Sequence, residues 1–167
     1  MLRAITEKIM ELPKLVALVQ QWQQNGEKVV FTNGCFDLIH KGHVTYLAKA
    51  KALGHRLVVA VNSDDSVRRL NKGPERPINA EQDRAFVLSA LAALDAVVIF
   101  DEDTPLAVIK AVRPDILVKG GDYDVNASSV SPQYIVGAEE VKANGGEVKT
   151  IAFEDGYSTT NLIKKFK

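Results

Sequence analysis

His40 and His43 stand on either side of Gly42 in the string G-C-F-D-L-I-H-K-G-H (34–43), and the chain has only one other histidine, His55. An imidazole pair at i and i+3 can ligate a metal, sit in a core satisfied by backbone, or donate to phosphate oxygens. The metal reading asks for a third ligand, and no Cys/His cluster in the sequence supplies one. Upstream, Val29, Val30 and Phe31 read as a short buried strand. Residues 32–41 read as a turn-rich crossing, and His43 onward as a helix with Val44, Leu47 and Ala48 on one face. A strand, a glycine-containing loop and a helix together bind phosphate. The unpaired N–H groups at the helix start carry the positive end of its dipole, and a glycine lets the backbone come close to the anion.

Two further segments have the same character. Lys119-Gly120-Gly121-Asp122-Tyr123 brings a lysine and two glycines directly after the apolar run D-I-L-V (115–118). Ser158, Thr159 and Thr160 crowd hydroxyls into the first turn of a C-terminal helix marked by Leu162, Ile163 and Phe166, where they can cap the helix or receive phosphate. The Gly- and Pro-rich segment 71–77 carries Lys72 and Arg76, and reads equally as a solvated linker or as a loop that offers cations to a ligand. Arg84 falls in the first turn of a helix, where a cation opposes the dipole, and that breach of a local rule hints at binding. Cys35, the only cysteine, excludes an internal disulfide and suits a reducing compartment. No third group is evident that would make its thiol a nucleophile, so a small residue in a phosphate loop is the simpler reading.

The elements that position these groups alternate. Leu15, Leu18, Val19 and Trp22 follow Pro13 at helical spacing up to Gly26, after a dozen opening residues expected to be loosely ordered. Further strands are expected at 56–61, 96–100, 115–118 and 147–153. Between them the spacing predicts a short helix with Val67 and Leu70, one capped by Asn79 with Gln82 at the capping-box position and a stripe of Val87, Ala90, Leu91 and Leu94, one opened by Thr104-Pro105, and one with Ile135, Ala138 and Val141. The Ser/Asn-rich stretch 125–132 reads as mobile. Alternating strands and helices imply a parallel, doubly wound α/β sheet with helices on both faces. In such sheets ligands bind beyond the carboxyl ends of strands, at the switch in strand order. All three phosphate-type segments follow strands immediately, which places them on one rim.

At 167 residues the chain is long enough to bury about 70% of its unfolded surface without disulfides. Lys plus Arg equals Asp plus Glu at 21 each, so no net field points to nucleic acid or to an anionic membrane. No apolar run approaches the 18 residues or so of a membrane span, and the charged N-terminus is unlike a signal peptide. A cytoplasmic protein is expected.

The string 34–43 resembles the G-x-F-D-x-x-H-x-G-H signature of the nucleotidyltransferase superfamily, which includes glycerol-3-phosphate cytidylyltransferase and phosphopantetheine adenylyltransferase. V-N-S-D (61–64), L-N-K-G (70–73), R-P-I-N-A-E-Q-D-R (76–84), L-V-K-G-G-D-Y (117–123), A-N-G-G-E-V (143–148) and F-E-D-G-Y-S-T-T-N-L-I-K-K (153–165) extend the resemblance over nearly all of the chain from Lys28. Together they are similar to the adenylyltransferases that make ADP-heptose from ATP and D-glycero-β-D-manno-heptose 1-phosphate for the lipopolysaccharide inner core. In many such proteins a sugar kinase is fused to this domain, and the length here fits the stand-alone form.

The resemblance implies a Rossmann-like five-stranded sheet in the order 3-2-1-4-5, with a helical extension over 1–26 and the transferase domain over 27–167. It implies that His40, His43 and Lys119 are catalytic. Cys35, Phe36, Gly42, Gly120, Gly121, Asp122, Ser158, Thr159 and Thr160 would bind the nucleotide. Asp64, Arg68, Lys72, Arg76 and Arg84 would bind the sugar phosphate, and Asp37 would order the loop. Mg2+ would be held mainly through ATP phosphates, and a homodimer is expected. One departure matters: related cytidylyltransferases carry an arginine three residues before the glycine of R-T-x-G-I-S-T-T, where this chain has Phe153. That argues against a glycerol-3-phosphate cytidylyltransferase. A non-catalytic nucleotide sensor would use the same loops.

Overall fold

In the computed structural model, which describes residues 1–154 and 156–165 (without the side chains of Thr160, Asn161 and Lys164), five parallel strands form one sheet. They are β1 (Val29–Gly34), β2 (Arg56–Asn62), β3 (Ala96–Phe100), β4 (Ile116–Gly120) and β5 (Glu147–Ile151), in the order β3-β2-β1-β4-β5. The expected order and fold class are therefore observed.

The strands are continuous apolar runs because both of their faces are covered. One face packs Val29, Phe31, Val58, Ala60 and Leu117 against α2 (Leu12–Gln24), α6 (Leu106–Val112) and α7 (Ala138–Ala143). The other packs Val30, Leu57, Val59, Val61 and Val118 against α3 (Lys41–Lys51) and α5 (Glu81–Ser89). The period-2 alternation of strand side chains sends neighbours into opposite layers. Two short helices, α1 (Leu2–Thr6) and α4 (Asp64–Arg69), and the last helix, α8 (Thr159–Lys165), complete the described fold.

Several local expectations are corrected. The opening segment is tied down: Met10 N–H donates to Val97 O at 3.0 Å and Val97 N–H to Lys8 O at 2.8 Å, which covers the outer edge of β3. The first strand runs on to Gly34 and α3 begins at Lys41, so its buried face is Gly42, Tyr46, Leu47 and Ala50, while Val44 and Ala48 lie outside. Helix α5 starts at Glu81 after Ala80, and its buried face is Arg84, Ala85 and Leu88, with Val87 exposed. Asn79 does not cap it, because its backbone N–H and its amide are engaged by Asp37. The last strand ends at Ile151 rather than 153. Residues 125–132 are turns held by backbone bonds and by Lys142 Nζ donating to Val125 O at 2.8 Å. Phe166 lies outside the described residues.

Candidate active site

At the carboxyl ends of the strands lies a cavity of about 790 Å3, within the usual range for small-molecule sites. A second cavity of about 350 Å3 at the opposite end of the sheet is lined by groups that bond one another: Gln23 donates to Asp115 at 3.2 Å and Arg113 to Asn144 at 3.0 Å.

The floor of the large cavity is built from β1 and the turn after it. Phe36 takes φ +48°, the left-handed region that a bulky side chain rarely enters and that concentrates at functional sites. This turn sets its ring edge-on to His43, with centroids 5.4 Å apart. His40 is the N-cap residue of α3, and its ring stacks on His43 at 3.8 Å with an interplanar angle of 26°. A Cβ on Gly42 would lie 2.9 Å from Tyr157 Cβ and 3.1 Å from the His40 ring, so only glycine lets these groups close over the helix start.

Burial and the neighbouring His40 ring push the His43 imidazole down to about 4, and burial lowers His40 as well. Both rings are thus neutral near pH 7. Among the described residues, three buried polar atoms lack a hydrogen-bond partner: Nδ1 of His40, Nδ1 of His43 and Oδ1 of Asn33. Buried orphans of this kind are rare and call for a partner. Here His43 and Asn33 line the cavity.

The opposite rim comes from β4 and β5. Lys119 lines the cavity, and burial together with the nearby Lys72 brings its ammonium down to about 8. Lys72 Nζ lies 3.6 Å from Cys35 Sγ, so two cations and the thiol converge. An ideal Cβ on Gly120 would overlap the Phe153 ring, so glycine is what lets that ring lie on the strand end. Tyr46 supports it, with ring centroids 5.8 Å apart, and is itself fixed by Thr32 at 2.8 Å and by donating to Val118 O at 3.3 Å.

Of the residues singled out in the sequence, Cys35, Phe36, Asp37, His43, Lys72, Arg76, Lys119, Gly120 and Thr159 line this one cavity. His40 and Gly42 adjoin it next to His43 without being among its lining residues. Gly121, Asp122 and Ser158 flank its rim in sequence without lining it, and the side chain of Thr160 lies outside the described residues. Three of the acceptor residues lie off the wall. Arg68 is paired outward with Asp65 at 2.6 Å. Arg84 is 1% exposed and donates to the carbonyls of Asn79 (2.9 Å) and Cys35 (2.7 Å) and to the Asp64 carboxylate (2.8 Å). The breach of the dipole rule at Arg84 thus has a structural cause: it holds the turn beneath the cavity. Sequence reasoning missed Asn33, Asn62, Asp103, Thr104 and Tyr134 as lining residues. A usable signal existed for Asn62, which closes β2, and for 103–104, which follow β3.

Residues 31–165 match the family described as cytidylyltransferase-like. The bifunctional protein HldE of Koribacter versatilis is 56% identical over 158 residues, which is 95% of this chain and 31% of that protein. HldE of Pectobacterium carotovorum subsp. carotovorum is 56% identical over 159 residues, 95% of this chain and 32% of that one. The chain spans about a third of the length of these curated relatives. Among solved structures, the lipopolysaccharide core biosynthesis protein from Thermoplasma volcanium is 30% identical with a TM-score of 0.60, covering 80% of this chain and 100% of that one. Pantoate-beta-alanine ligase from Francisella tularensis, 14% identical with a TM-score of 0.63 over 93% of this chain and 72% of its own, shares the fold alone.

Proposed function

The chain belongs to the cytidylyltransferase-like family, and from that premise we propose that it transfers AMP from ATP to D-glycero-β-D-manno-heptose 1-phosphate, releasing pyrophosphate and giving ADP-heptose for lipopolysaccharide synthesis. The observation that carries the reading is the stacked imidazole pair at the start of α3, whose His43 lines one cavity together with Lys119 and Lys72. The identity to HldE and the likeness to a lipopolysaccharide core biosynthesis protein support the choice of acceptor.

The chemistry fits these groups. A phosphate oxygen of the sugar phosphate attacks the α-phosphorus while the bond to the bridging oxygen of pyrophosphate breaks. The nucleophile is already anionic, so no general base is required, and the protein must align, screen charge and stabilise the leaving group. His40 and His43 donate to α- and β-phosphate oxygens, and the amides at Cys35 and Phe36 lie beneath the α-phosphate. Lys119 adds a charge at the transferring group. Ser158, Thr159 and Thr160 receive the outer phosphates. Lys72 and Arg76 meet the acceptor phosphate, while Asp64 and Arg84 brace the turn below.

Among the described residues no group of three or more His, Cys, Asp or Glu converges, and the cavity's carboxylates Asp37 and Asp103 are paired with Arg76 and Arg69. Such a donor set suits Mg2+ carried on the triphosphate and water, where it would neutralise charge developing on the phosphate oxygens. The same reading makes residues 27–167 the transferase domain behind a helical extension over 1–26, in a cytoplasmic homodimer. No helix among the described residues is long and apolar enough to cross a membrane.

Pyrophosphate release with Mg2+, pairing ATP or CTP with the β-heptose 1-phosphate or glycerol 3-phosphate, tests the reading. Turnover is expected for ATP with the heptose. Turnover with CTP and glycerol 3-phosphate would reverse the assignment, and ATP binding with silence in every pairing would leave a sensor.

Phe153 supplies the base wall. In Gly120→Ala the new methyl displaces that ring, so the KM for ATP is expected to rise roughly tenfold, the value of about one lost aromatic contact. The melting temperature should hold, because the displaced atoms are the far end of an exposed side chain. An unchanged KM for ATP would show that Phe153 does not touch the base.

A further inference from the structure

The cavity has two chemically different sides. Around β1 and β4 it carries the imidazoles and lysines described above. Beyond the end of β3 it is lined by Asp103, Thr104 and Pro105, and the segment before α7 adds Pro132, Tyr134 and Val136. This side carries no lysine, arginine or histidine among its own lining residues. The nearest cation, Arg69, is committed to Asp103 and Asp101, so an anionic triphosphate is better served on the lysine side.

Resting on the adenylyltransferase reading, we propose that Asp103, Thr104 and Tyr134 form a polyol subsite that holds the hydroxyl-bearing body of the acceptor sugar. Asp103 has one oxygen engaged by Arg69 Nε at 2.6 Å, and its other oxygen has no partner among the described residues. The hydroxyls of Thr104 and Tyr134 likewise have no hydrogen-bond partner among the described residues, and Thr104 is exposed. One cavity thus carries an exposed carboxylate oxygen, a hydroxyl on each of two lining residues and an aromatic ring, with Glu139 and Glu140 as the charged neighbours of the Tyr134 hydroxyl. This donor-poor and acceptor-rich set matches a sugar, whose hydroxyls donate and whose C–H faces lie on the ring. The wall is fixed in place. Ile135 is fully buried with Val108, Ile109 and Phe100, which anchors the segment holding Tyr134 beside the start of α6.

The nucleoside is placed elsewhere by the topology. Strand order reverses between β1 and β4, the crevice where α/β sheets hold nucleotides, and Phe153 and Tyr123 line the cavity on that side. With the base there, the side beyond β3 remains for the body of the acceptor, and the two substrates meet over His43, Lys72 and Lys119.

Pyrophosphate release and calorimetric titration of D-glycero-β-D-manno-heptose 1-phosphate onto the full chain holding α,β-methylene-ATP test the assignment. In Asp103→Asn the KM and Kd for the sugar phosphate should rise roughly tenfold, the loss of one hydrogen bond to a charged group. In Tyr134→Phe the rise should be about fivefold, as for a neutral bond. In both, kcat and the KM for ATP should stay within about twofold, a split that a merely structural defect would not produce. Unchanged sugar affinity in both variants, or a parallel rise in the KM for ATP, overturns the subsite and leaves the adenylyltransferase reading standing. A wild-type protein that binds the sugar phosphate without releasing pyrophosphate overturns the reaction, while the variants' Kd still judges the wall. A wild-type protein that neither binds nor turns over the sugar phosphate overturns both.

Discussion

His43→Ala is expected to lower kcat by roughly 10²–10³, the scale of one transition-state donor lost from a preorganised site, with a smaller change in the KM for ATP. The effect is large because the ring is fixed before substrate arrives: Phe36 meets it edge-on and His40 stacks on it. A donor held in this way costs little reorganisation as charge develops on the phosphates. His40→Ala should fall in the same range, and the double variant well short of the product of the two, since the stacked rings act as a unit. A loss below about threefold in either single variant would remove the imidazole pair from the chemistry.

The same pair gives a pH signature in stability. The folded His43 lies well below its ordinary value of 6.5, at about 4, so between those values the unfolded chain binds more protons than the folded one. Its contribution is therefore complete above about pH 6.5 and is lost as pH falls toward 4. The melting temperature of the wild type should drop through that window, and that of His43→Gln should drop less steeply.

How much of this was readable beforehand depends on how local each feature is. The strands announced themselves as apolar runs, because burial on both faces leaves no room for alternation, and the G-C-F-D-L-I-H-K-G-H string carried its own strand–loop–helix context. Helix faces were less legible. Val44 and Ala48 are apolar at helical spacing, yet Tyr46 takes the inner face because its hydroxyl finds Thr32 and the Val118 carbonyl across the sheet. Asn79 reads as a cap, yet Asp37, 42 residues away in sequence, holds its backbone N–H. Arg84 looked misplaced because its partners are brought to it only by the fold. The proposed acceptor wall was the least legible part. Asp103, Thr104 and Tyr134 are ordinary loop residues one at a time, and only the sheet order sets them on one cavity.

The largest expected loss of stability belongs to Asp37→Ala. The Asp37 carboxylate is 2% exposed and accepts from Arg76 Nε, from Ile78 N–H at 2.9 Å and from Asn79 N–H at 2.9 Å, while Asn79 Nδ2 donates to the Asp37 carbonyl at 2.7 Å. Arg76, itself only 8% exposed, would be left as an uncompensated buried cation beside two unsatisfied amides. Breaking such a pair from one side costs about 3–5 kcal/mol. For a chain of this size that corresponds to a melting temperature lower by roughly 6–20 °C. Activity should fall further than stability alone explains, because the clasp also holds the segment 71–79 that places Lys72 3.6 Å from Cys35. Removing both charges in Asp37→Ala/Arg76→Met should recover part of the loss in melting temperature, since the cation no longer lacks a partner, but not the activity, since the segment stays unclasped and Arg76 is lost to the acceptor phosphate. A single variant that melts within about 2 °C of the wild type would mean that the buried pair contributes nothing net. A double variant that regains full activity would mean that the position of Lys72 does not depend on the pair and that Arg76 does not meet the acceptor.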